Sequence, residues 1–157
     1  MSDLNIYEPQ FKDLWFKDKM LSDDETMAYN AKWGGAIGFP VDRRYEWYKL
    51  WVENADGNRF YRYLVNEDGE FVGEIAYRYD EVRDIYLSDI IIFAPYRMKG
   101  YGKRGLGILC EQAKSRGITS LSDDIAVDNL PAIRLFLSCG FTEYAVTDEI
   151  VTVKKDL

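Results

Sequence analysis

Apolar positions along this chain recur first at helical and then at strand spacing, and the change falls near Asn58. After a short strand expected over Asn5 to Pro9, Phe11, Leu14 and Trp15 recur every three to four residues toward Leu21. Lys12, Asp13 and Lys17 fall on other faces, which predicts an amphipathic helix. Ser22 followed three residues later by Glu25 is a capping box, and predicts a second short helix through about Asn30. Gly34, Gly35, Gly38 and Pro40 break the next stretch, WGGAIGFP, into a loop. Asp42 is placed to cap a third helix, RRYEWYKLWVENA, that ends near Gly57. Either Tyr45, Tyr48 and Trp51 or Trp47, Leu50 and Trp51 would form its inner face.

From Asn58 the pattern is that of strands. Phe60, Tyr61, Tyr63, Leu64 and Val65 predict one, and Asn66-Glu67-Asp68-Gly69 a hairpin turn in which glycine supplies the positive φ. Phe71 to Tyr79 returns as a second strand, Asp80 to Asp84 turns again, and Ile85 to Ala94 is a third, all antiparallel. A glycine-bearing basic loop follows, then a helix with Leu106, Leu109, Cys110 and Ala113 on one face, stopped at Gly117. Ile118 to Val127 reads as a strand interrupted by Asp123-Asp124. Asp128 or Asn129 then caps a helix that carries Pro131 in its first turn and Ala132, Leu135, Phe136 and Cys139 on its inner face. Phe141 to Val146 and Ile150 to Val153 are the last strands. With no internal repeat or linker, residues 1–157 read as a single domain of α/β class, α+β in type.

Composition narrows the chemistry. Hydrophobic residues make up 47% and charged residues 30% of the 157, a globular balance. The net charge of -7 disfavours nucleic acid as a partner and suits a cationic small substrate. There is no histidine, which removes histidine-based triads and imidazole metal sites, and no CxxC spacing replaces them, so no metal is expected. Cys110 and Cys139 are too few for a disulfide scaffold and are expected as buried free thiols in a reducing compartment. Met1 to Gln10 shows no basic stretch followed by an apolar core. The longest apolar run, Ile90 to Pro95, falls short of the ~20 residues of a membrane helix. A cytoplasmic chain without a membrane partner is the expectation.

The stretch with chemical content runs from Asp84 to Arg116: apolar strand, glycine loop, helix. In Arg97-Met98-Lys99-Gly100-Tyr101-Gly102 the glycines let backbone amides approach a ligand just ahead of a helix N-terminus, where unpaired N–H groups and the helix dipole favour a phosphate. The loop is neither a Walker loop nor a dinucleotide fingerprint, and a structural turn remains an alternative for it.

Two separated motifs carry a resemblance. Arg97, Gly100 and Gly102 follow the apolar strand Ile90 to Ala94, and Asn129, Ala132, Leu135, Phe136, Gly140 and Phe141 follow at a matching distance. Together they resemble the Q/R-x-x-G-x-G/A and N-x-x-A-x-x-L-Y-x-x-x-G-F motifs of the GNAT superfamily of acyl-CoA-dependent acyltransferases, over roughly Asn58 to Val153. The resemblance implies a mixed, mostly antiparallel sheet of six to seven strands flanked by helices, splayed open between Ile85–Ala94 and Thr119–Val127. Acetyl-CoA would lie in that opening, its pantetheine paired with the backbone of Ile91, Ile92 and Phe93. The diphosphate would sit on the amides of Arg97, Met98, Lys99, Gly100, Tyr101 and Gly102. Lys103, Arg104 and Arg134 would lie toward the 3′-phosphate and Asn129 beside the pantetheine arm. Residues 58–157 would then carry the sheet and the acyl-CoA, and residues 1–57 the acceptor side.

The implied reaction is direct attack of an amine, of a small molecule or a protein, on the thioester. Such a reaction needs donors for the developing oxyanion and a base. Asp89, Asp123 and Asp124 interrupt otherwise apolar strands beside the expected opening and are the candidate bases, with Glu74 a further one. Phe136 stands where the family often has a tyrosine that protonates the departing thiolate. A rival reading therefore keeps the fold and the acyl-CoA but makes the chain a sensor or regulatory module. Trp33, Phe39, Tyr45, Trp47 and Tyr48 suggest a flat or cationic acceptor. The aromatics and the final strands are compatible with a homodimer.

Overall fold

The structure, a computed structural model, describes residues 3–157 and every side chain among them except that of Lys32. Turn chemistry starts the sheet. Asn66 Oδ1 accepts the N–H groups of Asp68 and Glu70 at 3.1 and 2.9 Å, and Gly69 takes a φ of 77°. This closes the hairpin of β2 (Arg59–Val65) and β3 (Phe71–Asp80). With β1 (Asn5–Tyr7), β4 (Ile85–Ile92), β5 (Ser120–Ala126), β6 (Thr142–Val146) and β7 (Ile150–Asp156), they form one seven-stranded sheet in the order β1-β2-β3-β4-β5-β7-β6. Every neighbouring pair is antiparallel except β4 and β5. The mixed, mostly antiparallel sheet expected from sequence is present, and the last strand inserts between β5 and β6.

Two long-patterned helices cover one face. In α3 (Tyr101–Ser115), Leu106, Leu109, Cys110 and Ala113 are buried as their spacing predicts. The helix lies so close to the sheet at Gly105 that an added Cβ would come within 2.8 Å of Leu64 Cδ1. Asn129, not Asp128, caps α4 (Leu130–Ser138), its Oδ1 accepting the Ala132 N–H at 3.4 Å. Cys110 is buried, whereas Cys139 is half-buried at the end of α4, and both are free thiols.

The other face departs from the sequence pattern. The Phe11–Asp13 turn is a 3₁₀ turn, fixed by Tyr7 Oη and Gln10 N–H donating to Asp13 Oδ2 at 2.6 and 2.9 Å. Its tighter winding shifts the phase of the helix that follows, α1 (Leu14–Leu21). Leu14, Phe16, Lys17 and Met20 are therefore buried, while Phe11 and Trp15 remain exposed, so Lys17 is inside and Trp15 outside, the reverse of expectation. No α-helix starts at Ser22. Asp23 accepts the Thr26 N–H at 3.1 Å, Ser22 Oγ turns back to Asp18, and a turn leads into a 3₁₀ segment, Ala28–Trp33. Pro40 rather than Asp42 caps α2 (Val41–Tyr48), which widens into a π-helical turn, Lys49–Glu53, closed by Asn54 N–H to Lys49 O at 2.8 Å. Trp47 and Trp51 form its inner side, both edge-on to Tyr61, and Tyr45 and Leu50 face outward. Among the described residues no helix is long and apolar enough to cross a membrane.

Candidate active site

A gap opens in the sheet where β4 and β5 part. They meet in register only at Leu87 and Ser122, where Ser88 Oγ also donates to Ser122 O at 3.0 Å. Beyond that point β5 stays with β7 along its whole length, from Ser120–Asp156 to Ala126–Ile150, and so leaves β4. The outer half of β4 keeps only β3 as a partner. Phe93 N–H donates to Val72 O at 2.9 Å, so by strand alternation Ile91 and Phe93 turn their backbone groups to β3, and Ile90 and Ile92 turn theirs to the gap. Of the expected backbone stretch Ile91–Phe93, Ile92 alone faces the opening, and Ile90, outside that stretch, joins it. Ile91 and Phe93 instead send side chains to the aromatic face.

The loop after β4 is shaped for an anion. Met98 and Gly100 both take left-handed backbone angles, φ 64° and 82°, which curls successive N–H groups toward one side. The Arg104 N–H is the first of α3 to return to the loop, onto Gly100 O at 3.2 Å, so the N–H groups of Tyr101, Gly102 and Lys103 precede the intrahelical ladder. A Cβ on Gly102 would meet only Leu135 and Ile92 side chains, at 3.4 Å or more. The Met98, Lys99, Lys103 and Arg134 side chains are exposed, and the Tyr101 ring is buried as an anchor of α3. Arg97 has another task. Its guanidinium donates to Ile92 O at 3.2 Å and to the carbonyls of Glu25 and Thr26 at 3.3 and 2.9 Å, stapling the N-terminal turn to the end of β4.

The three aspartates separate. Asp89 stands on the face shared with Ile91, opposite Ala76, reached by water yet surrounded by protein atoms. Burial, with the Glu74 carboxylate next, pushes it up to about 6, against the pull of the Lys17 ammonium and the Ile90 N–H. Asp123 points to the other face, beside Val153 and Ser88 Oγ at 3.4 Å, and burial followed by Asp89 and Asp124 pushes it well above the carboxylate range. These two straddle the point where the strands part. Asp124 does not join them. It is gripped by Arg83 at 3.2 and 2.7 Å and by Thr152 Oγ1 at 2.7 Å, which hold it below its ordinary value although burial pushes the other way.

Glu74 is committed as well. It is buried in an ion pair with Lys17 Nζ at 2.9 Å and accepts from Tyr61 Oη at 2.6 Å. The Lys17 ammonium lies 4.9 Å from the Trp47 and Tyr61 ring centroids and 5.9 Å from Phe39. Sequence spacing missed Lys17, because a lysine amid apolar residues reads as the solvent face. It also missed Tyr29, whose phenol has Asp89, Glu74 and Asp123 as its charged neighbours.

Comparison with known proteins agrees with this geometry. The family model described as acetyltransferase (GNAT) matches residues 7–141. The chain is 35% identical over 72 residues to YycN of Bacillus subtilis, an uncharacterized N-acetyltransferase, covering 46% of this chain and 44% of that protein. It is 33% identical over 98 residues to an aminoglycoside N(6')-acetyltransferase type 1 of Serratia marcescens, covering 57% and 65%. The matches thus span less than two thirds of either relative. Among solved structures, spermidine N-acetyltransferase from Vibrio cholerae in complex with CoA and spermine superposes with a TM-score of 0.81 at 16% identity, over 98% of this chain and 95% of that one. An acetyltransferase from Streptococcus pneumoniae superposes with a TM-score of 0.78 at 18% identity, over 99% and 100%.

Proposed function

The chain belongs to the GNAT acetyltransferase family, and on that premise we propose that it is an N-acetyltransferase that moves an acetyl group from acetyl-CoA to a primary amine. The observation that carries this reading is the gap itself: a strand edge whose backbone groups turn away from β3, an anion-shaped loop at one end and two raised carboxylates at the other. The Ile90 and Ile92 edge would pair with the pantetheine arm, and the amides from Met98 to Lys103 would hold the diphosphate. Lys103 and Arg134 are exposed and would suit a further phosphate, and Asn129, whose oxygen caps α4, would offer its amide N–H₂ to the pantetheine arm.

Acetyl-CoA supplies the thioester, and this chain's residues manage the proton. Asp89, poised near neutrality, accepts the proton that the amine sheds as it attacks the carbonyl carbon, while Asp123, which burial holds toward its protonated form, adds no charge to that step. Asp89 with the surrounding rings favours a cationic amine, in keeping with the spermidine and aminoglycoside acceptors named for the relatives. Asp124, paired with Arg83, has no part in the proposal. A cytoplasmic setting belongs to the same reading, supported by the free thiols.

Phe136 favours the sensor alternative, in which acyl-CoA binds without turnover. Thiol release from acetyl-CoA across a panel of primary amines decides between them: an enzyme releases thiol above background with at least one amine. The binding half is checked by Gly102→Val, whose side chain would crowd Leu135 and Ile92 at the start of α3, beside the proposed cradle. Calorimetry should show CoA affinity falling by about 10²-fold or more, and unchanged affinity would refute the cradle assignment.

A further inference from the structure

On the aromatic face the side chains of β2, β3 and β4 stand in rows fixed by the register. Tyr61, Ala76 and Asp89 make one row, and Arg59, Arg78 and Leu87 make the next. The second row sets two cations against each other. Tyr79 N–H donates to Asn58 O at 2.8 Å, which makes Arg59 and Arg78 one of the closer, non-hydrogen-bonded pairs of the ladder. Like charges directly opposite repel, and a chain of net charge -7 has carboxylates enough to offset them. Those of the same strand and of the turn before β2 are engaged elsewhere: Asp80 with Arg83 at 2.9 Å, Glu74 with Lys17 at 2.9 Å, and Asp56 with the Asn58 N–H at 2.8 Å. The Arg59 guanidinium lies 5.6 Å from the Trp51 ring centroid, and its Nε is buried without a hydrogen-bond partner among the described residues. Arg78, one strand nearer the gap, is exposed. Asp89 is its diagonal neighbour, one strand across and two residues along, with Cβ atoms about 7–8 Å apart. The other two corners of that square are Ala76 and Leu87, both apolar, and among the described residues no ion pair joins Arg78 to Asp89.

We propose that the amine acetylated beside Asp89 belongs to an amino acid, whose carboxylate is bound by Arg78 and Arg59. The proposal rests on the acetyltransferase reading above and narrows its acceptor class. A carboxylate laid between the two guanidinium groups would end their repulsion and give the Arg59 Nε–H the partner it lacks. The same molecule's ammonium would then reach Asp89 across the diagonal. The arginines fix where the amine sits and Asp89 takes its proton, so no bond is made or broken at either guanidinium.

A panel of L-amino acids, each matched with its own α-amide, tests this by thiol release from acetyl-CoA. In wild type kcat/KM for the preferred amino acid should exceed that for its amide by about tenfold or more, the worth of a charge-assisted hydrogen bond. Arg78→Gln should erase that ratio through KM for the amino acid, with kcat changed much less. The melting temperature of the ligand-free variant should hold or rise, because the repulsion is gone. A fall in melting temperature with the ratio intact would make the pair a structural contact and overturn the proposal. Turnover of amines that carry no acid group, with amino acids inert or no better than their amides, would overturn it and leave the acetyltransferase reading standing. Calorimetry on the CoA complex separates the two ideas further. An amino acid that binds wild type more tightly than its amide does, and loses that advantage in Arg78→Gln, supports the arginine site even if no amine releases thiol. In that case it is the acetyltransferase reading that fails.

Discussion

On the face beneath α3 and α4 the sheet packs Leu64, Ile75, Leu106, Leu109, Leu121 and Val153, a mostly aliphatic core that also takes in Phe60, Tyr77, Tyr101, Phe136 and Phe141. On the opposite face Phe16, Tyr61, Tyr63, Trp47, Phe71 and Phe93 surround a lysine and a glutamate. The first face is held by shape, because regular helices present apolar stripes and a glycine brings α3 close. The second is held by a polar network inside rings: Tyr61 and Lys17 on Glu74, Tyr63 Oη on Asp13 O at 2.9 Å, and Tyr7 on Asp13. One face seats a helix rigidly enough to form the anion loop. The other sets the charge around Asp89.

The largest effect should come from breaking the aromatic face at its charge. Lys17→Met leaves Glu74 buried without its cation and should cost about 3–5 kcal/mol of unfolding free energy in denaturant titration. Lys17→Met with Glu74→Gln removes both charges and should recover much of that loss. If the single variant is as stable as wild type, the pair is not what holds this face. The aliphatic face should answer to volume instead. Gly105→Ala pushes a methyl toward Leu64 and Ile90 and should cost about 1–3 kcal/mol in the same assay, with no change in the pH dependence of turnover. The smallest effect belongs to Asp124→Asn, which loosens a partly exposed pair with Arg83. It should cost no more than about 1 kcal/mol and leave kcat within twofold. A large loss of kcat there would return Asp124 to the catalytic group.

Legibility in the sequence followed the same division. The spacing of Leu106, Leu109 and Ala113, the turn at Asn66–Gly69 and the two spaced motifs marked the strand–loop–helix unit, because regular helices and tight turns leave local signals. The N-terminal region left poorer ones. A 3₁₀ turn before α1 changed its phase, a π-turn widened α2, and Lys17 is inside only because Glu74, 57 residues away, receives it. The site was legible in part. Alternation says that Asp123 and Asp124 face opposite ways, but which one meets Ser88 and which meets Arg83 depends on pairing with Val153 and Thr152. Likewise, which of Ile90, Ile91 and Ile92 opens to the gap follows from Phe93 bonding Val72, a long-range fact.

Asp89 joins the two faces functionally, and its pH behaviour has a definite sign. Its folded value, about 6, lies above the ordinary ~3.9 of an aspartate. Between those values the native state holds a proton that the unfolded chain has lost. The stability contributed by protonated Asp89 is thus complete below pH ~4 and lost as pH rises through about 6. The base form appears over the same interval, so turnover should rise where that stability is given up.

The most direct measurement is kcat/KM for an accepted amine as a function of pH, in wild type and in Asp89→Asn. The wild-type profile should climb with a midpoint near 6. The variant should lose that limb and fall by about 10²-fold at neutral pH. An Asp89→Asn enzyme that keeps the same limb at the same midpoint would contradict the account and place the base elsewhere.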